Sequence, residues 1–220
     1  MLAGQTLVAQ DGYEVALFPL PYMYISQGEM MPSGWSHYNV YNIDFLGWSF
    51  NGRVYQAPIY APVTMKVVNT WLNYSGGNSV FFESTRPVHL ANGHLNYLTI
   101  CFAHDANPPY TTIGQTVSQG QLCYHTGEYG EVTGDHVHTC CGEGQYHGTT
   151  VRSGGHIDLT NRIHYYDAVY INDTVLVEDY NYYWKTWTGP TPPPTPSRTS
   201  RFPWVLYARK LRDERSQTIV

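Results

Sequence analysis

Apolar positions along the first 180 residues recur in short runs, not at helical spacing. Tyr60–Thr70 (YAPVTMKVVNT), Ser79–Glu83 (SVFFE), Tyr97–Ala103 (YLTICFA), Gln121–His125 (QLCYH), His136–Cys141 (HVHTCC) and Ala168–Glu178 (AVYINDTVLVE) are the clearest. Gly, Asn, Pro and Ser punctuate them, with strong turn signals at Gly76-Gly77-Asn78 and Asn92-Gly93. Short runs rich in β-branched and aromatic residues, bounded by turn formers, read as strands. The chain before residue 200 carries neither a long amphipathic helix nor an internal repeat. Closely spaced strands joined by tight turns favour antiparallel pairing, because parallel strands need long crossovers. The pattern predicts an all-β fold of antiparallel sheets with few or no helices.

Composition narrows the class. Of 220 residues, 13% are charged and 15% aromatic, with 20 tyrosines. Disordered chains show the reverse balance. The formal net charge of −5 argues against a nucleic-acid binder held by phosphate contacts. No run approaches the ~18 apolar residues of a membrane span. The first residues lack a basic region and are interrupted by Asp11 and Glu14, so they do not read as a secretory signal. Cys101, Cys123, Cys140 and Cys141 form no CxxC pair and read as buried small apolar residues.

Charge also divides the chain. Gly189–Ser197 (GPTPPPTPS) holds five prolines and reads as an extended spacer. Beyond it, Arg198–Val220 carries a net charge of +4, against −9 for residues 1–197. The expected organisation is a domain over 1–187, a Pro-rich linker over 188–197 and a basic docking tail over 198–220. The tail's Phe202, Trp204, Val205, Leu206, Tyr207 and Leu211 suit an interface, where Arg, Trp and Tyr are frequent anchors. Its expected partners are an acidic face of the same domain, another copy of the chain or an anionic polymer.

Ten histidines hold the most chemical information. His136-Val137-His138 lies in a strand-like run, where residues two apart share a face. One imidazole can then ligate a metal while its neighbour accepts a proton. Upstream, His37 precedes Asp44, whose Ile43 and Phe45 flanks predict a carboxylate drawn into the core. Such burial is costly unless the charge is paired, and a metal is one way to pair it. A third histidine, His104, ends the apolar run that starts at Tyr97.

The ordered blocks around these histidines resemble the M23 zinc metallopeptidases, the lysostaphin- and LytM-like peptidoglycan endopeptidases. The match runs through the His37…Asp44 pair, Ala61-Pro62, the strand ending at His104, and Gly114-x-x-Val117-x-x-Gly120-Gln121. It continues through Thr126-Gly127-x-x-Gly130-x-x-Thr133-Gly134 to His136-x-His138, covering residues 36–141. Several ordered blocks are more specific than any one motif. The resemblance implies an open substrate groove across an antiparallel sheet, with His37, Asp44 and His138 as Zn2+ ligands. It implies His136 as general base and His104 as the group that steadies the transition state. Three protein ligands and one open position is the arrangement of a catalytic zinc, which acidifies a water and polarises the scissile carbonyl.

Three features depart from the family. Six residues separate His37 from Asp44, where three are usual. Thr139-Cys140 replaces the usual Phe-Glu; Cys140 shares the face of His136 and His138 on a regular strand, yet reads as a buried thiol. His125, His147, His156 and His164 are not required by the pattern and read as surface or core histidines. A cupin motif also fits Gly130, His136, His138 and Glu143, but leaves His37, Asp44 and His104 unexplained. The aromatic-rich surface suits a catalytically inactive wall-binding module as an alternative. The expected function is a zinc metalloendopeptidase that hydrolyses cross-links or stem peptides of bacterial peptidoglycan, with Tyr-rich loops walling the groove. With no secretory signal expected, the resemblance implies a bacteriophage product, in the virion (phage tail) or extracellular at the bacterial cell wall, with other phage tail proteins and an anionic wall polymer as further expected partners of the tail.

Overall fold

The computed structural model describes residues 4–151 and 157–191. Its centre is a nine-stranded sheet. The strand order is Thr116–Val117, Met65–Trp71, Ser79–Ser84, Leu98–Ala103, Val137–Glu143, Asn42–Phe45, Tyr22–Gln27 and Val175–Glu178, with Arg162–Ile163 also pairing with Val137–Glu143. Every pairing in it is antiparallel except that of Tyr22–Gln27 with Val175–Glu178. Leu122–His125 pairs with Pro58–Tyr60 in a separate two-stranded sheet. Among the described residues the one helix is the four-residue turn Tyr165–Ala168. The fold is all-β, as the apolar pattern predicts, and no described helix is long and apolar enough to cross a membrane.

Alternation along the central strands decides where the site lies. Val80, Phe82, Leu98, Ile100, Phe102, Val137 and Cys141 enter one large core with Ile43 and Phe45. Burying each large side chain of this kind contributes ~1.5–3 kcal/mol. Residues between them face the other side, where Phe81, Cys101, Cys140 and Leu159 form a small second core. Further along that face the register sets His138 opposite Asp44 and Ala103 opposite both His138 and Ser79. Small side chains at 79 and 103 leave this half of the sheet uncovered, and the cleft opens there.

Two expected runs are broken. Tyr60–Thr70 is a strand to Tyr60, a bend over 62–64, and a strand from Met65. Ala168–Glu178 is not one strand: the helix ends at Ala168, Tyr170 makes an isolated bridge to Leu17, and pairing resumes at Val175. The turn formers Asn172 and Asp173 lie at the break. Residues 188–191 lie against the fold, with Gln10 N–H donating to the Pro190 carbonyl. The rest of the Pro-rich segment, the basic tail and His156 lie outside the described residues.

Candidate metal centre

His37, Asp44 and His138 converge from three directions. Asp44 and His138 are cross-strand partners, so their side chains meet by register alone. His37 comes from the preceding loop. The longer spacer to Asp44 is taken up by a turn at 38–41, where Asn39 adopts φ +56° and Val40 is fully buried. The His37 Nδ1–H donates to the Gly28 carbonyl at 3.0 Å, which turns Nε2 toward the other two residues. Nε2 then lies 3.2 Å from His138 Nδ1 and 3.4 Å from Asp44 Oδ1. His138 Nδ1 lies 2.9 Å from the same carboxylate oxygen. Ligand bonds of ~2.0–2.1 Å around a tetrahedral zinc separate the ligand atoms by ~3.3 Å. This three-donor group, the one of its kind among the described residues, fits that spacing, and two nitrogens with one carboxylate suit zinc.

Burial alone would raise the Asp44 carboxyl, but the His138 hydrogen bond and the charges of His138, His37 and His136 hold it well below the ordinary range. Asp44 is therefore a carboxylate, as a ligand must be.

Two more imidazoles face the same cleft of about 340 Å3. His136 donates Nδ1–H to the Gly134 carbonyl at 2.8 Å and brings Nε2 to 3.7 Å from Asp44 Oδ1. A paired bridge between Gly127 and His136 fixes its backbone. His104 donates Nδ1–H to the Tyr129 carbonyl at 3.1 Å, and its ring centroid lies 4.6 Å from that of His136. Burial, then the charges of His138 and His136, pushes the His104 imidazolium down to about 3. With Nδ1–H committed to Tyr129 and the ring neutral, its cleft-facing Nε2 is an acceptor. The transition-state donor role expected of His104 thus requires that it first gain a proton.

His104 has φ +87°, a backbone state uncommon outside glycine. A local network holds it. Asn78 accepts the His104 N–H on its carbonyl, and Tyr124 donates its hydroxyl to the same oxygen at 2.6 Å while accepting the Asp105 N–H. Gly77 has φ +99°, and a Cβ there would lie 2.6 Å from both His104 Nδ1 and the Tyr129 oxygen. Cβ atoms on Gly127 and Gly130 would strike the His104 carbonyl and Gly77 respectively. The glycines of the 126–134 block thus pack backbone on backbone around His104, while Gly134 alone of the three opens onto free space.

The remaining expected residues sort by position. Glu143 sits at the far end of the 137–143 strand, its carboxylate held by Asn92, His94 and Asn96, so the cupin constellation does not assemble. Cys140 lines the cleft floor beside Cys101 as a buried free thiol. His125 pairs with Asp105, His164 lies beside Glu29, and His147 is exposed. The expectation of a Tyr-walled groove is corrected. Among the described residues Tyr74 is the one tyrosine lining the cleft, because Tyr165, Tyr180, Tyr182 and other rings pack on the large core. Asn42, Gly28, Tyr124 and Tyr129 support the site without any motif signal in the sequence, and Gly77 and Asn78 carry only a turn signal there.

The chain is similar in sequence to a phage protein. It is 30% identical over 177 residues to morphogenesis protein 1 of Bacillus phage B103, covering 80% of this chain and 45% of that protein. The chain thus spans a little under half of that relative's length. No family model matches. Among solved structures, it is similar to the catalytic domain of the antimicrobial peptidase lysostaphin from Staphylococcus simulans, at 20% identity and a TM-score of 0.41 over 62% of this chain and 88% of that one. It is also similar to a catalytic-domain variant of the prophage-encoded M23 protein EnpA from Enterococcus faecalis, at 16% identity and a TM-score of 0.44 over 68% and 93%. A third similar structure is a zinc-containing peptidase from Vibrio cholerae, at 19% identity and a TM-score of 0.41 over 62% and 42%. At these levels the chemistry must rest on the site's own geometry.

Proposed function

We propose that this chain is a zinc-dependent endopeptidase cutting cross-links or stem peptides of bacterial peptidoglycan, within a bacteriophage particle or lysis system acting at the cell wall. One observation carries the reading: three donors at zinc spacing share a cleft with two further imidazoles whose Nδ1–H groups are tied to backbone carbonyls. The phage setting is supported by the sequence similarity to morphogenesis protein 1 of Bacillus phage B103.

His37, Asp44 and His138 would hold the zinc, which when bound supplies Lewis-acid polarisation of a carbonyl and acidifies water. His136 presents a bare Nε2 beside Asp44 and accepts the proton of the attacking water. His104 starts neutral; the proton that His136 takes from the water, on a ring 4.6 Å away, would pass to the oxyanion or the leaving amine through His104 Nε2. The Gly134 and Tyr129 carbonyls fix both rings so that neither must reorient during the reaction.

Metal analysis paired with hydrolysis of purified walls tests the assignment. His136→Ala retains zinc and loses ~10²–10⁴-fold in rate; His104→Ala retains zinc and loses ~10²–10³-fold. Loss of zinc from either variant, or undiminished hydrolysis, would remove the roles given to these residues.

A further inference from the structure

The strand Val175–Glu178 stands at one end of the central sheet. It pairs with Tyr22–Gln27 on one side, and no described strand pairs with the other. Val175 donates its N–H to the Pro21 carbonyl at 3.0 Å, so the N–H and C=O of the next residue, Leu176, point to the open side. Such an edge is a template for another strand, and folded chains usually blunt it with lysine, proline or a bulge. This strand carries neither lysine nor proline; its one irregularity is the register shift opposite Met23 and Tyr24. Val175, Leu176 and Val177 are 49, 44 and 42% exposed. Asp173 precedes this apolar triplet, and Glu178 and Asp179 follow it. An exposed apolar centre is thus bracketed by acids on both sides.

We propose that the chain's own tail docks here, with Trp204–Tyr207 lying along the open edge of Val175–Glu178. The tail, which lies outside the described residues, carries the complementary pattern. Trp204, Val205, Leu206 and Tyr207 are residue types that suit a half-buried strand. Arg198 and Arg201 precede them, and Arg209, Lys210 and Arg212 follow. Bases therefore flank the apolar run on both sides, as acids flank the strand. Pro203 has no N–H to offer a ladder, so pairing begins after it.

The length of the intervening chain allows the return. The described chain ends at Thr191, four residues after Trp187, whose N–H donates to Asn172 Oδ1 at 3.0 Å. Asn172 is three residues before Val175. At ~3.3–3.6 Å per residue, Thr191 lies no more than ~35 Å from Val175. Thirteen steps from Thr191 to Trp204, at the ~3.1 Å of a Pro-rich spacer, reach ~40 Å. A tether of this length holds the tail at an effective concentration on the order of mM, so docking within one chain outcompetes docking on a second copy. The capped edge then offers no template to another chain.

The test is amide hydrogen exchange, read residue by residue by NMR on the full chain at low salt. Two tail variants are compared with wild type. Leu206→Pro removes a main-chain donor and breaks strand pairing; Arg209→Glu combined with Lys210→Glu reverses charge and leaves the backbone alone. Val175, whose N–H is bonded to Pro21 whether or not the tail is docked, is the internal control. The Leu176 amide is expected to exchange at least ~10-fold more slowly in wild type than in either variant, with Val175 alike in all three. Leu176 exchange that is unchanged in either variant overturns the inference. If Leu206→Pro does not fold, the charge-reversed variant decides alone. Protection that rises with protein concentration, together with a doubled mass in sedimentation, places the tail on a second copy and overturns it as well.

Discussion

Replacing Gly77 by alanine should separate the support of His104 from ordinary loop stability. Gly77 and Gly114 have nearly the same backbone, φ +99° and +89°, yet a Cβ at 114 meets nothing within 4 Å. Gly114→Ala therefore carries only the backbone cost of a left-handed residue, ~1–2 kcal/mol. Gly77→Ala carries the same cost plus contacts of 2.6 Å with His104 Nδ1 and the Tyr129 oxygen. Relief of those contacts parts His104 from Tyr129, losing a hydrogen bond of ~0.5–1.5 kcal/mol on top of an overpacking cost of ~1–3 kcal/mol. The expected excess over Gly114→Ala is ~1.5–4.5 kcal/mol. At ~2–4 °C per kcal/mol for a domain of this size, Tm should differ between the variants by at least ~3 °C. Thermal unfolding by calorimetry at one pH reads the first effect. Wall hydrolysis reads the second, where Gly77→Ala should lose ~10²–10³-fold as His104 is displaced while its zinc content is unchanged. Equal Tm and equal hydrolysis for the two variants would refute the claim that Gly77 exists to seat His104.

Other predictions follow from the same geometry. Asp44→Ala should bind zinc weakly or not at all, whereas Glu143→Ala should keep one zinc per chain; metal analysis showing the reverse would favour the cupin arrangement. Burial first, then the charges of Asp167 and Asp158, pushes the Glu29 carboxyl from 4.5 up to about 8, with His164 Nδ1 at 3.2 Å and the Tyr166 and Tyr182 rings nearby. The folded chain thus keeps a proton that the unfolded chain releases, so this contribution to stability is full below pH 4.5 and lost as pH rises to about 8. Glu29→Gln should match wild type near pH 4 and exceed it by ~3–5 kcal/mol near pH 9 in denaturant unfolding; a constant difference across that range would contradict the assignment. His104 acts in the opposite sense: its folded value of about 3 lies below the ordinary 6.5, so stability falls as pH drops from 6.5 toward 3.

Much of the fold was legible because short apolar runs bounded by turn formers mark the central strands. Two-residue spacing in a strand set His136 and His138 on one face, and the apolar flanks Ile43 and Phe45 drew Asp44 inward. His37 was harder to read, since it meets His138 across 101 positions and is aimed by a carbonyl, that of Gly28, which has no sequence signature. Gly28 itself is wedged against Tyr180 and Tyr182, rings that composition alone suggested for a groove wall. Asn42 stands mid-strand and resembles any polar position until the register sets it diagonal to His138. The glycines of the 126–134 block were visible as a motif, but their partner was not: they close on Gly77 and His104, from the other side of the cleft. The interrupted Ala168–Glu178 run was misread because β-branched and tyrosine residues flank Asn172-Asp173, and local pattern cannot tell a strand from two short pieces around a turn.

The proposed function is cleavage of peptide bonds of the bacterial wall at this cleft. Mass spectrometry of soluble fragments released from purified cell walls by the zinc-loaded full chain tests it most directly, with His136→Ala as the control. Fragments with new peptide termini and intact glycan linkages are expected, absent or reduced ~10²–10⁴-fold with the variant. Zinc-loaded protein that releases no peptide fragments from any wall, or fragments cut only in the glycan, would contradict it and leave the fold as a wall-binding module.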